Sequence, residues 1–344
     1  MNNIKKKLII FAPNIMKGGG LVLIQELIIN KPLYEINWMI SKSLNNYNDL
    51  KSDLFGVGIF ERIRAEYLLF KKAKNKDTVI CFNGSVPLLP ISGKIIVYLQ
   101  NRLLIESYNL SRYNYYTKIR LIIERYFLRF HWRRIDFFLV QTESMKEQLL
   151  KFAEKYNLKN RKITISPFSR VLSSKNYSHN KLNNFSFIYP SNLQPHKNHL
   201  NLIKAWKLFN SNLSNSNLIL TITKEQFFNI CKINKLSSVN FEKSIKCIGD
   251  VSHEKIIRIM SECNAIIFPS MLESYGLPLI EAKQINLPII AAELDYVRDI
   301  CMPEQTFDPN SVKSIYRALC RFCNLEYKIS EIHNASKFWS NFEK

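Results

Sequence analysis

No stretch of this 344-residue chain approaches the ~18 consecutive apolar residues of a membrane-crossing helix. Three lysines, Lys5–Lys7, precede a short apolar run, as in a secretion signal. That run stops at Pro13 after about one strand length, and no small-residue cleavage site follows. Lys7–Ala12 therefore reads as a first buried strand, and a cytoplasmic location is expected. The seven cysteines are scattered, and only Cys320 and Cys323 form a C-x-x-C. No second pair or nearby histidine completes a zinc site, so reduced thiols in the core are expected and no metal is called. G-x-G-x-x-G and the Walker lysine-serine pair are both absent, which weakens the standard dinucleotide and P-loop readings. No repeat suggests a solenoid. No convincing His–Asp or Ser–His constellation stands out for nucleophilic chemistry.

What is present is a globular composition, 47% apolar and 22% charged, long enough for two domains. The formal net charge is +21. Residues 1–180 hold 30 Lys and Arg against 13 Asp and Glu, while the remainder holds 19 against 15. The excess belongs to the first half. Nucleic acid, an anionic membrane surface or a phosphorylated substrate could each answer it. A lysine-rich background composition is the bland alternative. It explains scattered lysines better than arginines clustered in one segment.

Short apolar runs alternate with helix-like stretches, the pattern of an α/β chain with parallel sheets. Strands are expected at Leu8–Ala12, Asn37–Ile40, Thr78–Phe82, Lys94–Leu99, Asp136–Val140 and Lys162–Ser166. A second series follows at Phe185–Tyr189, Asn217–Thr221, Ser244–Ile248, Asn264–Phe268 and Pro288–Ala292. Helices fit at 21–30, 198–210, 224–235, 252–262, 278–286 and 311–322. The stretch 173–184 is polar and aperiodic, as a linker is. This gives a first domain at 1–175, a linker at 176–184 and a second domain at 185–344, facing each other across a cleft. The last helix is expected to pack back on the first domain.

Three segments carry chemistry. Lys17-Gly18-Gly19-Gly20 follows the first strand and precedes a helix, so backbone can approach a ligand and free N–H groups can face an anion. A plain glycine turn is the alternative. Tyr189–Asn198 is the first strand-to-helix loop of the second series. It puts Lys197 near a helix N-terminus, an unfavourable place for a cation unless an anion binds there. His196 and Asn198 read as local loop bonding and capping. Finally, Phe268–Ala282 places Glu273 and Glu281 around a Gly276-Leu277-Pro278 turn, at the carboxyl edge of a parallel sheet. Open α/β sheets bind ligands at that edge.

With Pro269-Ser270 before and Glu281-Ala282 closing, this last segment resembles the retaining GT-B-fold glycosyltransferases of family 4 (glycosyl transferases group 1). The Pro195-His196-Lys197-Asn198 loop, Gly249 and the early glycine loop are similar to that family as well. The resemblance implies two Rossmann-like domains and transfer of a sugar from a nucleotide-sugar with retained configuration. No cofactor or metal is then required. It implies that Glu273 binds donor-sugar hydroxyls and that Lys197 neutralises the leaving diphosphate. Ser274 and the backbone at Tyr275, Gly276 and Leu277 would contact sugar and diphosphate, and Glu281 would bind the ribose. Gly19 and Gly20 would let the first domain close over the donor. Asn192 occupies the donor-site position where many members carry arginine. Gln100 and Asn101 occupy the region where many carry a histidine near the sugar, and are the helper candidates. An epimerase on the same fold, or a basic nucleic-acid-binding protein, are the alternatives.

Residues 102–134 interleave arginines with aromatic residues. Arg120, Arg125, Arg129 and Arg133 are the membrane-facing candidates, the last three recurring every four residues. Ile119, Ile122, Ile123 and Tyr126 supply an apolar stripe. An interfacial helix on anionic lipid has this composition, as does a core-packed helix with solvated arginines. If sugar transfer is the activity, a glycan or polyprenyl-diphosphate-linked acceptor of surface polysaccharide assembly follows. No nucleic acid is then expected.

Overall fold

The computed structural model describes residues 7–44, 47, 50–82, 84, 86–172, 185–211, 216–236 and 243–327. The expected linker at 176–184 and a terminal segment beyond residue 327 lie outside the described residues. The first series runs β1 (Leu8–Ala12), α1 (Gly19–Ile29), β2 (Ile36–Ser41), β3 (Ser52–Phe55), α2 (Ile59–Lys72), β4 (Thr78–Phe82), β5 (Lys94–Tyr98), α3 (Tyr115–Phe130), β6 (Phe137–Val140), α4 (Glu143–Lys155) and β7 (Lys162–Ile165). Its strands form one parallel sheet in the order β3-β2-β1-β4-β5-β6-β7.

The second series runs β8 (Ser186–Tyr189), α5 (His199–Asn210), β9 (Asn217–Leu220), α6 (Lys224–Ile233), β10 (Ile245–Cys247), α7 (His253–Ser261), β11 (Ala265–Phe268), α8 (Leu277–Gln284), β12 (Ile289–Ala292), α9 (Asp295–Arg298), β13 (Gln305–Phe307) and α10 (Val312–Phe322). These strands form a second parallel sheet, β10-β9-β8-β11-β12-β13.

The central strands read Leu-Ile-Ile-Phe-Ala, Ala-Ile-Ile-Phe and Ile-Ile-Ala-Ala because both faces of each sheet are covered. In the first domain, Ala65 and Leu69 of α2, Leu121 and Leu128 of α3 and Leu149 of α4 share one core with Phe11, Val97 and Phe138. Ile24 and Ile28 of α1 cover the opposite face with Ile10, Trp38 and Tyr98. Leu272, from the loop after β11, packs into the first domain's core. Strand order reverses between β1 and β4 and again between β8 and β11. At such switch points the loops leaving the carboxyl ends diverge and open a crevice. The glycine segment, the Lys197 loop and the Glu273 loop leave these strand ends.

Candidate functional site

The loop after β8 is built as a frame. Pro195–Lys197 forms a single 3-10 turn, and Asn198 ends it in the left-handed region at φ 61°. The Asn198 amide donates to the carbonyls of Pro269 (3.2 Å) and Pro309 (2.7 Å). It is a tie between loops, not the helix cap its sequence position suggests. The Tyr189 hydroxyl donates to the Lys197 carbonyl at 2.8 Å, and the Tyr296 hydroxyl to the Ser270 carbonyl at 2.7 Å. Burial pushes both phenols up, so they remain donors.

Lys197 does not wait unpaired for an anion. Its Nζ donates to Glu273 Oε1 at 2.5 Å, with only 16% and 12% of the two side chains exposed. The cation near the helix start is thus met by a carboxylate from the neighbouring loop. After Glu273 the chain reaches Gly276, whose left-handed φ of 66° turns it into α8. That helix starts at Leu277 with a proline in its first turn and no acidic residue there. α1 likewise begins at Gly19, with no acid in its first turn. Sequence reading places the glycines ahead of the helix; in the structure Gly19 and Gly20 are its first residues, with Gly18 as the cap.

The two helix starts face each other. A Cβ on Gly19 would stand 2.9 Å from Leu277 Cδ1. A Cβ on Gly20 would lie 3.7 Å from Gln100 Oε1. The Gln100 amide is buried, and neither its oxygen nor its nitrogen has a hydrogen-bond partner among the described residues. The starts of α1 and α8, neither with an acid in its first turn, and an unsatisfied amide therefore come together at the end of the loop that carries Glu273, an arrangement suited to an anion carrying a polar group.

The remaining candidates separate. Asn192 is exposed, and its carbonyl accepts from Ser191 Oγ at 3.3 Å. Asn101 Oδ1 accepts from the Leu103 amide at 3.1 Å, capping a short turn. Tyr275 is buried, and the Ser274 carbonyl accepts from Thr142 Oγ1 at 3.5 Å. Glu281 sits inside α8, buried, and accepts from His253 Nε2 at 2.7 Å.

Three contributors escape sequence reading. Arg102 pairs with Glu106 and donates to the backbone carbonyl of Glu273 at 3.3 Å, across the two domains. Its only sequence signal is the i,i+4 acid. His253 holds Glu281 from the start of α7. Tyr113 of the first domain meets His196 of the second, hydroxyl to Nδ1, at 2.5 Å. Burial, then Lys197, lowers the His196 pKa to about 4, so the ring is neutral, and its tautomer decides which of the two partners donates.

On α3 the expected flank of arginines does not form. Arg125 turns inward and donates to the carbonyls of Leu103 and Glu106, both at 2.8 Å. Arg129 lies 3.7 Å over the Tyr156 ring. Arg133 leaves the register because α3 ends at Phe130 and Trp132–Arg134 form a 3-10 turn. Arg120 stays exposed beside Glu124 at 3.8 Å. The apolar stripe is also exposed, with Ile122 at 58% and Tyr126 at 59%; α3 packs on the core through Leu121 and Leu128 instead.

Known proteins share the fold and part of the sequence. Residues 173–337 match the family described as Glycosyl transferases group 1. The O-antigen chain mannosyltransferase RfbU of Salmonella typhimurium is 22% identical over 217 residues, 63% of this chain and 59% of its own. The Escherichia coli UDP-Gal:alpha-D-GlcNAc-diphosphoundecaprenol alpha-1,3-galactosyltransferase is 26% identical over 147 residues, 41% of this chain and 37% of its own. The chain thus spans less than two thirds of either curated relative. The solved structure of Anabaena HepE in complex with UDP and glucose superimposes with a TM-score of 0.66 at 16% identity, covering 93% of this chain and 89% of that one. This chain therefore has the GT-B fold, two Rossmann-like domains across a cleft, and its match to glycosyl transferases group 1 is confined to residues 173–337.

Proposed function

We propose that this chain is a retaining glycosyltransferase of the family 4 type, a hexosyltransferase that takes its sugar from a nucleotide-sugar. Its acceptor is a glycan or a polyprenyl-diphosphate-linked glycan of surface polysaccharide assembly, met at the cytoplasmic face of a membrane. The observation that carries the reading is the Lys197–Glu273 pair at 2.5 Å, on the loop that leads into α8, whose first residue meets the start of α1. Names of the relatives support it: one is an O-antigen mannosyltransferase, and another is named for a diphosphoundecaprenol-linked acceptor. HepE holds UDP and glucose on the same fold.

In this reading the donor separates the pair. Lys197 turns to the diphosphate, Glu273 to sugar hydroxyls, and the N–H groups of Tyr275, Gly276 and Leu277 add donors. As the sugar–phosphate bond breaks, negative charge grows on the diphosphate, and preorganised positive groups there supply the largest stabilisation. The two helix N-termini provide what an arginine at position 192 would otherwise add. The donor's own phosphate oxygen takes the acceptor proton, so no side-chain base is needed. Glu281 accepts from ribose hydroxyls with the oxygen that His253 leaves free. Gln100 turns its unsatisfied amide to the sugar.

The test is a thermal-shift screen with UDP-, GDP- and ADP-sugars, followed by assay with lipid-linked acceptors in excess EDTA. One donor class should raise the melting temperature, as a ligand at about 100 times its Kd adds roughly 2.7 kcal/mol. The product should keep the donor's anomeric configuration. An altered sugar still on its nucleotide, formed without acceptor, would show an epimerase instead.

A further inference from the structure

We propose that α2 and α3 together form a docking face that seats the first domain on an anionic lipid bilayer. At about 100° per residue, α2 turns Ala65 and Leu69 into the core. Its opposite arc is Ile59, Phe60, Ile63, Tyr67 and Phe70, all between 49% and 88% exposed. α3 repeats the inversion. Leu121 and Leu128 are buried, while Tyr115, Ile119, Ile122, Tyr126 and Phe130 point out at 38% to 71% exposure. An ordinary surface helix carries charged groups on its outer face. Both of these helices carry aliphatic and aromatic groups there.

The two arcs belong to one surface. Both helices turn their buried residues, Ala65 and Leu69 of α2 and Leu121 and Leu128 of α3, into the same core, and Arg62 of α2 pairs with Glu66 at 2.5 Å. Glu66 Oε2 accepts from the Leu88 amide at 2.9 Å, and Arg134, just past α3, donates to the Leu88 and Leu89 carbonyls. The partly exposed Leu88 and Leu89 are thereby stitched between the helices.

Charge selects the occupant. By the same helical spacing, the exposed Arg64 and Lys71 edge the arc of α2, and Arg120 and Arg129 edge that of α3. Three acids lie on these helices: Glu61 accepts from the Gly56 amide and Arg64, Glu66 is buried, and Glu124 stands 3.8 Å from Arg120. A phosphodiester backbone would need cations at the centre, where this face is apolar. A second copy would lay one basic rim against another. A bilayer with anionic headgroups satisfies both parts, with apolar groups below the headgroups and Lys and Arg among them. This surface is independent of the donor chemistry.

Flotation of the full chain with phosphatidylcholine vesicles, with and without phosphatidylglycerol, tests it, no sugar donor being added. The wild type should float with the phosphatidylglycerol vesicles, and added salt should release it. The Ile63→Glu/Phe130→Glu double variant should bind roughly tenfold or more weakly, with an unchanged circular dichroism spectrum and melting temperature. Phe228→Glu, on an exposed site of α6 in the second domain, should float like wild type. Flotation with neither vesicle, or undiminished flotation of the double variant, would overturn the proposal. So would a dimer in sedimentation equilibrium that the double substitution dissolves, since a second copy would then cover the face. Donor-induced thermal shifts remain a separate readout, so failure of docking is distinct from failure of the transferase reading.

Discussion

At the scale of single residues the site is held by mutual dependence. Lys197 and Glu273 are each other's counterion at 2.5 Å with little exposure. Truncating one leaves the other charged in a place that water scarcely reaches, which costs several kcal/mol in fully buried pairs and less here. Lys197→Met and Glu273→Gln should therefore each lower the melting temperature, and the double variant should regain most of the loss. All three should lose turnover by about a hundredfold or more, since Lys197 faces the charge that grows on the leaving diphosphate and Glu273 holds the sugar in position. Strictly additive melting shifts would show that the pair is not coupled. The nearby histidines add a pH dependence. Burial first, then Lys197, holds His196 at about 4 and His199 at about 3, below the ordinary 6.5. Between those values the unfolded chain binds protons that the folded chain refuses. Stability is thus full above 6.5 and falls as pH drops toward 4 and 3, by roughly 1.4 kcal/mol per pH unit for each histidine. Urea melts at pH 7 and pH 5 should show the loss. His199→Phe, which keeps a ring against Tyr189, 4.9 Å away between centroids, should narrow the gap. An unchanged gap would remove His199 from the account.

At the scale of elements, legibility followed burial. Strands covered on both faces, such as β1, β11 and β12, announce themselves as unbroken apolar runs, and helices α5, α7, α8 and α10 begin and end within two residues of the spacing. β3 escapes notice because Ser52-Asp53-Leu54-Phe55 is an edge strand with little buried surface. β13 and α9 escape because they span three and four residues. In the candidate site, the loops around Lys197, Glu273 and Gly276 were visible as motifs, but their pairings were not. Arg102 reaches a carbonyl 171 residues away, and Tyr113 meets a histidine 83 residues away. No local period encodes such contacts. They arise only when two sheets, each specified by its own apolar pattern, bring their carboxyl edges together. α3 shows the reverse error. Four-residue spacing is evidence for a flank only while the helix lasts, and this one stops before Arg133. Helical spacing alone also could not say whether Ile122 and Tyr126 face core or solvent. Leu121 and Leu128 are the residues that decide it, by taking the inner face.

At the scale of the molecule, function depends on how closely the two domains approach. Polar ties cross the gap at Tyr113–His196, Arg102–Glu273 and Thr142–Ser274, and the Ser144 amide donates to Asp299 Oδ2 at 2.9 Å. Such bonds contribute about 1 kcal/mol each net of water, so no single one closes the cleft. The steric gate is Gly19. Its missing Cβ leaves room for Leu277, and an alanine at 2.9 Å from a leucine methyl would only push a flexible side-chain end aside. A valine would bring two more carbons into the same gap, and α1 and α8 would have to part. Gly19→Val should therefore open the cleft without unfolding either sheet. Small-angle scattering should report a larger radius of gyration, while circular dichroism stays as in wild type. Because the two helix N-termini act on the same anion only when they are close, nucleotide-sugar affinity should fall together with the opening. Tyr113→Phe, which removes one hydrogen bond and no space, should change affinity by tenfold or less by the same reckoning. Wild-type scattering and affinity in Gly19→Val would mean that the donor is held by the second domain alone, and that the glycines of α1 serve the helix start and nothing across it.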